Sequence, residues 1–564
     1  MSYHFFSVLS FVPVWLLMGG VLTGPVLAQG PAGAASTTQP AATGVVRKIS
    51  IDDAVRLALE QNLDIQVDRL NPQISDLDIA QARAAWTPEV SATLATIGSD
   101  SPVNSFLVAA EGGATKTTDR RFSTGLGYSQ LFPWGGNASL AWDSLRSTSN
   151  SLFTNFNPTL RSNLAFDYTQ PLLRNREIDS ARQQLLVTRK NREISDVQFR
   201  DTVVNTTRNV KNAYWDLAYA RASLNVSQQT LDLARQSLRN TRSRVEIGTM
   251  APIDIVEADA EVADREEAVI VAEAAIGQAE DRLKSLVLDP TTPDFWNIRF
   301  ELVDVNPYQV QAIDLDAAVR TALDKRTDLA QARKTLESSD INIRYARNQI
   351  LPDVNLQVNY GLAGLGGTEF LRGPGFPGPV VSEINRSFGS VLGDLFANNF
   401  PNWTVSLTVG YPIGVATAEA NLARARLQYS QSQVQIKNME LQVVTQVRDV
   451  ARQVNTNAKR MDTTRVSRQL NERRLEAEEK KFTAGTSTSF FVFQAQRDLA
   501  EARNNELRAL LDYNKSLVDF ETVQESAIGG GGGTITVAGS GVIPGGGAVR
   551  TTATQAVQGQ FGGF

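Results

Sequence analysis

Residues 402–412 read "NWTVSLTVGYP". Trp403, Val405, Leu407, Val409 and Tyr411 point one way; Asn402, Thr404, Ser406, Thr408 and Gly410 point the other. Faultless alternation predicts a strand with one apolar and one wet face. A long helix-like stretch follows it and no further strand comes after. A lone strand leaves both edges unpaired. Its partners must therefore lie far off in the sequence or on other copies.

An internal repeat supplies the first partners. "ISIDDAVRLALEQNLDI" at 49–65 aligns without gaps to "IDLDAAVRTALDKRTDL" at 313–329, an offset of 264 that still pairs Pro88 with Pro352. "YTQPLL" (168–173) matches "GYPIG" (410–414), and "RVEIGT" (244–249) matches "KFTAGT" (481–486). The first repeat spans 47–312: a helix, a strand region 89–170, a long helix 178–245, a tip 246–252, a helix 254–288 and an equatorial segment 289–312. The second spans 313–527: a helix 316–350, a strand region 353–411, a long helix 415–482, a tip 483–489 and a helix 491–524. Val354, Leu356, Val358 and Tyr360 alternate with polar residues, which makes 402–411 the return strand; 90–96 and 160–169 take those roles in the first half. That half also carries an extra hairpin turning at Gly135-Gly136.

Residues 178–245 contain neither Pro nor Gly, and Val203, Val210, Leu217, Leu224, Leu231, Leu238 and Val245 recur every seven residues. Small residues, among them Ala213, Ala220 and Ala234, form a second line beside them, giving a coiled-coil seam that lets helices approach closely. Leu422, Tyr429, Ile436, Val443 and Val450 repeat the pattern. The segments 254–288 and 51–86 together run 71 residues against 68 for 178–245; 491–524 and 316–350 together run 69 against 68 for 415–482. Two half-length helices stacked end to end are thus expected beside each rod, each rod being about 100 Å long at 1.5 Å per residue.

The bulk numbers bound the class. The chain has 564 residues, 42% hydrophobic, with a formal net charge of −5, too mild for nucleic-acid binding. It has no Cys, and His4 is its one histidine. Disulfides, thiol chemistry and Cys/His metal sites are excluded, and serine–histidine and cysteine nucleophile schemes go with them. "GGGGG" at 529–533 precedes no helix and is no phosphate-binding loop. No catalytic, cofactor or metal site is expected, and the chain reads as a non-enzyme. Residues 1–28 end in Val26-Leu27-Ala28 and read as a secretory signal that lacks the usual basic start; an uncleaved membrane anchor is the rival reading. Residues 29–46 are a flexible lead-in, and 528–564 a Gly-rich tail too poor in apolar residues to order itself.

Four main strands per chain are too few for a barrel, whose practical minimum is about eight. Several copies closing one barrel would pair the edges and place the apolar faces in lipid, with Trp142, Tyr168, Trp403 and Tyr411 as interface aromatics. The expected fold is α+β and mostly α: a β-barrel shared between protomers, continued by an α-helical coiled-coil barrel.

On "PNWTVSLTVGYPIGVA", "RVEIGTMAPIDIVEADAEVADREEAV", "KFTAGTSTSFFVFQAQRDLAEARNNELRALLDYNKSLVDF" and the duplicated first helix, the chain resembles the TolC-like outer-membrane efflux proteins from 49 to 524. The resemblance implies a homotrimer in the outer membrane of a Gram-negative bacterium, with a shared twelve-stranded barrel and a periplasmic helical tunnel. Small molecules or proteins would reach it from an inner-membrane pump through a periplasmic adaptor. The extra hairpin departs from that pattern and leaves the strand number open.

The Gly-Thr tips, Gly248-Thr249 and Gly485-Thr486, would join antiparallel helices at the end far from the membrane. The resemblance makes them adaptor-docking surfaces, with Arg244 and Lys481 beside them; such turns also serve simply to reverse the chain. It makes Asp254 and Glu257 a ring of acidic groups at the pore entrance, although helix first turns favour acidic residues anyway. Phe490 or Phe491, if facing the axis, would form a hydrophobic gate; packing between helices is the alternative. A trimeric coiled-coil surface adhesin with a barrel anchor is the rival to an export channel.

Overall fold

A computed structural model describes residues 46–528 except 104–109, 111–113, 292, 294, 304–311, 376–377, 412 and 414–416. The signal 1–28, nearly all of 29–46 and the tail beyond 528 lie outside the described residues. The chain begins with β1 (Val46–Ile49), α1 (Ile51–Gln61) and α2 (Leu63–Arg83). Four strands follow, β2 (Glu89–Pro102), β3 (Lys116–Leu131), β4 (Asn137–Ser149) and β5 (Phe156–Pro171). Then come the rod α3 (Ser180–Glu246), the returning α4 (Ile253–Val287) and β6 (Arg299–Leu302), which pairs in parallel with β1. The second half holds α5 (Leu315–Lys325), α6 (Thr327–Gln349), β7 (Asp353–Arg372), β8 (Val380–Arg386), α7 (Phe388–Phe396), β9 (Pro401–Gly410), α8 (Thr417–Thr483) and α9 (Ser489–Val523).

The helices expected over 51–86 and 316–350 are each broken in two. Asn62 sits in extended backbone; its Oδ1 accepts from Ile65 N at 3.1 Å and its Nδ2 donates to Leu286 O at 3.0 Å. Arg326 makes the matching break. It is 1% exposed, and its guanidinium donates to both carboxylate oxygens of Asp328 (3.0 and 2.7 Å) and to Gln446 Oε1 at 2.9 Å. A buried guanidinium requires such saturation of its donors.

α3 and α8 are 67 residues each, about 100 Å long at 1.5 Å per residue. α2 and α4 lie along α3, and α6 and α9 along α8; α6 and α9 also contact α3. Val210, Ala213, Leu217, Leu231 and Ala234 of the heptad seam are buried. Near mid-rod, Phe295, Ile298 and Phe300 join Ile49, Leu57, Tyr214, Leu283 and Val287 in one core, so the equatorial segment caps the junction of α1, α3 and α4.

The sheet holds the four main strands and adds the two strands of the extra hairpin, the number left open by the sequence. Its order is β2-β3-β4-β5-β7, with β9 and β8 sharing the far edge of β7. The extra hairpin is β3–β4, inserted between the two strands read as the first half's pair, so six long strands form one antiparallel wall. Across it, Val90, Tyr128, Leu140, Phe166, Tyr360 and Trp403 are neighbours in a single apolar row. The adjoining row, Glu89, Ser129, Ser139, Asp167, Asn359 and Thr404, is polar throughout. Side chains alternate between faces along a strand, so the sheet has one greasy side and one wet side over its whole width. α7 lies on the greasy side: its Val391 sits so close that a Cβ at Gly364 would come within 2.4 Å of Val391 O. Among the described residues, no helix is long and apolar enough to cross a membrane.

Candidate functional site: the helical tips and the open sheet

The two tips fold alike. Gly248 and Gly485 both have φ +77°, and a Cβ added at either would meet no atom within 4 Å, so the left-handed backbone alone selects glycine. Thr249 N donates to Arg244 O at 2.8 Å and Thr486 N to Lys481 O at 2.9 Å, six-residue closures that satisfy the last helical carbonyls. Each threonine hydroxyl donates to the same carbonyl, at 2.9 and 3.1 Å. The sequence pairing of Gly-Thr at 248–249 and 485–486 thus corresponds to one backbone geometry used twice.

Side chains tie the tips together. The Arg244 guanidinium lies 4.3 Å from the Phe482 ring centroid. Lys481 Nζ donates to Glu478 Oε1 at 2.7 Å. That ammonium, with the Ser487 hydroxyl, holds the Glu478 carboxyl below its ordinary range. Burial pushes the neighbouring Glu479 carboxyl up, and Glu476 adds to the effect. Asp254 accepts from Ala251 N at 3.2 Å and from Ser489 Oγ at 3.3 Å, so it braces the start of α4 against the start of α9. Glu257, one turn on, is exposed.

Phe490 and Phe491 are half-exposed and meet edge to face, centroids 5.7 Å apart. Val492 and Phe493 are the buried residues of that run, and Val492 packs with Leu475, Ala495 and Leu499. The sequence reading missed two features here. Ile247, Ile253 and Val256 expose apolar side chains around the first tip, each more than 60% accessible. Glu261 is 5% exposed and takes Arg265 at 2.6 Å and Arg497 at 3.0 Å. The Glu261–Arg265 spacing of four residues was the signal available for it.

At the other end, the junction of sheet and helices is knitted by polar groups. Arg174 pairs with Asp353, Asn175 N donates to Asn348 Oδ1 at 2.7 Å, and Gln349 Nε2 donates to Asn175 Oδ1 at 2.7 Å. Tyr168 and Tyr411 lie at this end of the sheet, where Tyr168 OH accepts from Trp134 Nε1 at 3.3 Å. Trp142 and Trp403 sit farther along their strands; Trp142 Nε1 donates to Ser162 Oγ at 2.8 Å and Trp403 is 69% exposed. No group of three or more His, Cys, Asp or Glu able to hold a metal occurs among the described residues.

Comparison with known proteins agrees with this architecture. The family described as outer membrane efflux protein matches residues 144–287 and 318–523. The chain belongs to this family, and its structural neighbours are TolC-like channels. CusC, from a study of its folding and transmembrane channel formation, superposes with a TM-score of 0.59 at 17% identity, covering 85% of this chain and 92% of that one. The Campylobacter jejuni CmeC outer membrane channel gives 0.57 at 13% identity, covering 84% and 85%. The open state of the Neisseria gonorrhoeae MtrE outer membrane channel gives 0.55 at 17%, covering 84% and 89%. At these identities the likeness speaks for the fold. No curated protein matches the sequence.

Proposed function

We propose that three copies of this chain form an efflux duct of a Gram-negative outer membrane, with the sheet in the bilayer and the helices in the periplasm. The observation that carries the reading is the sheet itself. Its greasy side bears Val90, Leu94, Trp403, Val405, Leu407 and Val409, each at least 59% exposed in the single chain. Among the described residues, both outermost strands, β2 and β9, have an unpaired edge. A soluble protein rarely leaves either feature uncovered. Lipid covers the first and sister copies the second, and the internal repeat gives each copy equivalent halves for building a closed tube. Tyr168 and Tyr411 then sit at the periplasmic boundary of the bilayer, with Trp142 and Trp403 on the lipid side.

The tips carry the rest of the function. Gly248-Thr249 and Gly485-Thr486, with Arg244 and Lys481, dock a periplasmic adaptor that links the duct to an inner-membrane pump. Ile247, Ile253 and Val256 give that surface an apolar component. Asp254 and Glu257, repeated three-fold, ring the entrance and favour cations. Phe490 and Phe491, exposed in one copy, close a hydrophobic constriction when three copies meet. Small molecules or proteins pass without any chemical step in this chain.

Purified protein in a planar bilayer tests the reading. Stepwise, ion-conducting pores are expected. Absence of pores from folded protein contradicts the channel and favours a coiled-coil surface adhesin.

A further inference from the structure

We infer that the barrel has eighteen strands, making the outer duct about half again as wide as four strands per copy would give. The inference rests on the trimeric reading above and concerns the β3–β4 hairpin. A hairpin beside a barrel wall could be a flap or part of the wall, and four observations assign it to the wall.

First, its strands are 16 and 13 residues long, and membrane strands need about 9–11. Second, it is hydrogen-bonded on both sides: β3 pairs with the whole of β2 from Lys116 to Ser129, and β4 with β5 from Asn137 to Ser147. It therefore separates strands that would otherwise be neighbours. Third, its faces continue those of the sheet. Tyr128 and Leu140 fall in the apolar row, Ser129 and Ser139 in the polar one, and Phe122, Leu126 and Leu140 are 41–52% exposed on the greasy side. Fourth, its turn is held against the root of α3. A Cβ at Gly135 would lie 2.9 Å from both Asn175 O and Arg182 Nη2.

The registers also suit closure. Pro88 and Pro352 precede β2 and β7 and mark equivalent heights in the repeat. Val90 is the second residue of β2, while its row-mate Tyr360 is the eighth of β7. That six-residue stagger over four inter-strand steps is about 20 Å against about 19 Å, a tilt of about 45°, within the range that barrels adopt. Strand directions alternate from β2 to β9, so β9 of one copy meets β2 of the next antiparallel and the ring closes without a parallel joint. At that spacing and tilt the backbone radius is about 20 Å for eighteen strands and about 13 Å for twelve. Of the six wall strands, β2, β5, β7 and β9 connect to the helices of the rods, so twelve helical files feed eighteen strands and the duct widens outward. Selection then falls to the tips, where the proposed constriction lies.

Electron cryomicroscopy of the full-length protein in lipid nanodiscs tests this directly. Eighteen strands are expected. A trimer with twelve wall strands and the hairpin folded aside overturns the inference and leaves the trimeric channel standing; a particle that is not a trimer overturns both. Thiol labelling gives a second readout, because the chain has no Cys. Leu126→Cys should react with a bilayer-soluble maleimide and Ser123→Cys with a water-soluble one. Water-soluble labelling of both positions overturns the wall assignment.

Discussion

The Arg244 guanidinium stands 4.3 Å from the ring centroid of Phe482, a residue 238 positions away in the last turn of the other rod. The contact joins the two tips of one chain, so that end of the rods is braced within a single copy. Exposed cation–π contacts contribute about 0.5–1 kcal/mol. A double-mutant cycle on Arg244→Ala and Phe482→Leu, read by hydrogen exchange at the tips, should return a coupling of that size. Strict additivity would show the contact to be incidental.

Gly248 and Gly485 share φ +77° with open space around them, so alanine at either meets only the backbone penalty. Gly248→Ala and Gly485→Ala should each loosen the local closure by about 1 kcal/mol, speeding exchange of the Thr249 or Thr486 amide about five-fold. Asparagine, which tolerates this conformation, should cost less. Unequal effects at the two tips would contradict their equivalence.

Asp254 is both a proposed entrance charge and a brace that accepts from Ala251 N and Ser489 Oγ. Glu257 is exposed. Glu257→Gln should therefore lower cation selectivity, seen as a reversal potential closer to zero in a salt gradient, without changing tip exchange. Asp254→Asn should change both. An unaltered reversal potential in both variants would remove these residues from the entrance.

Phe490 and Phe491 present their rings outward beside the buried Val492 and Phe493. Replacing both by alanine should raise single-channel conductance at a smaller cost in thermal stability than replacing the buried Val492 and Phe493, because each ring is already half-exposed. Lower stability with unchanged conductance would place the rings in a packing role instead.

Lys190 and Lys334 bracket Glu193 and Glu337 between α3 and α6, with four contacts of 2.8–3.4 Å. Lys334, then Lys190, holds the Glu193 carboxyl below its ordinary 4.5, and Lys190 does the same to Glu337. Both ammonium groups are raised above 10.5, Lys190 chiefly by Glu337 and Lys334 by Glu193. The carboxylates' contribution to stability is complete above about pH 4.5 and is lost as pH falls through their folded values. The ammonium contribution is complete below about pH 10.5 and is lost as pH rises through theirs. Stability against pH should show a plateau between these limits, and Glu193→Gln should flatten its acid side. An unchanged acid limb would mean the cluster is too solvated to matter.

The rods were legible because a seven-residue apolar period survives any surface variation: Val210, Leu217 and Leu231 are buried where that period places them. The tips were legible because glycine is the residue a left-handed closure demands. Strand partnership was harder to see. β3 and β4 alternate weakly, since Gly125, Gly127, Ser129 and Ser139 make the wet side small and not strongly polar, and nothing local says which strand they pair with. The breaks at Asn62 and Arg326 were hidden because helical pattern runs through both and the decisive partners, Leu286 and Gln446, are far away in sequence. α7 was overlooked because its docking depends on Gly364 and Gly366 of another strand leaving room for Val391.

Native mass spectrometry of the detergent-extracted protein bears most directly on the claim that one chain cannot wall off a pore alone. Three copies of the polypeptide in a single particle are expected. A particle containing one copy, folded and stable once its detergent is removed, would contradict the account.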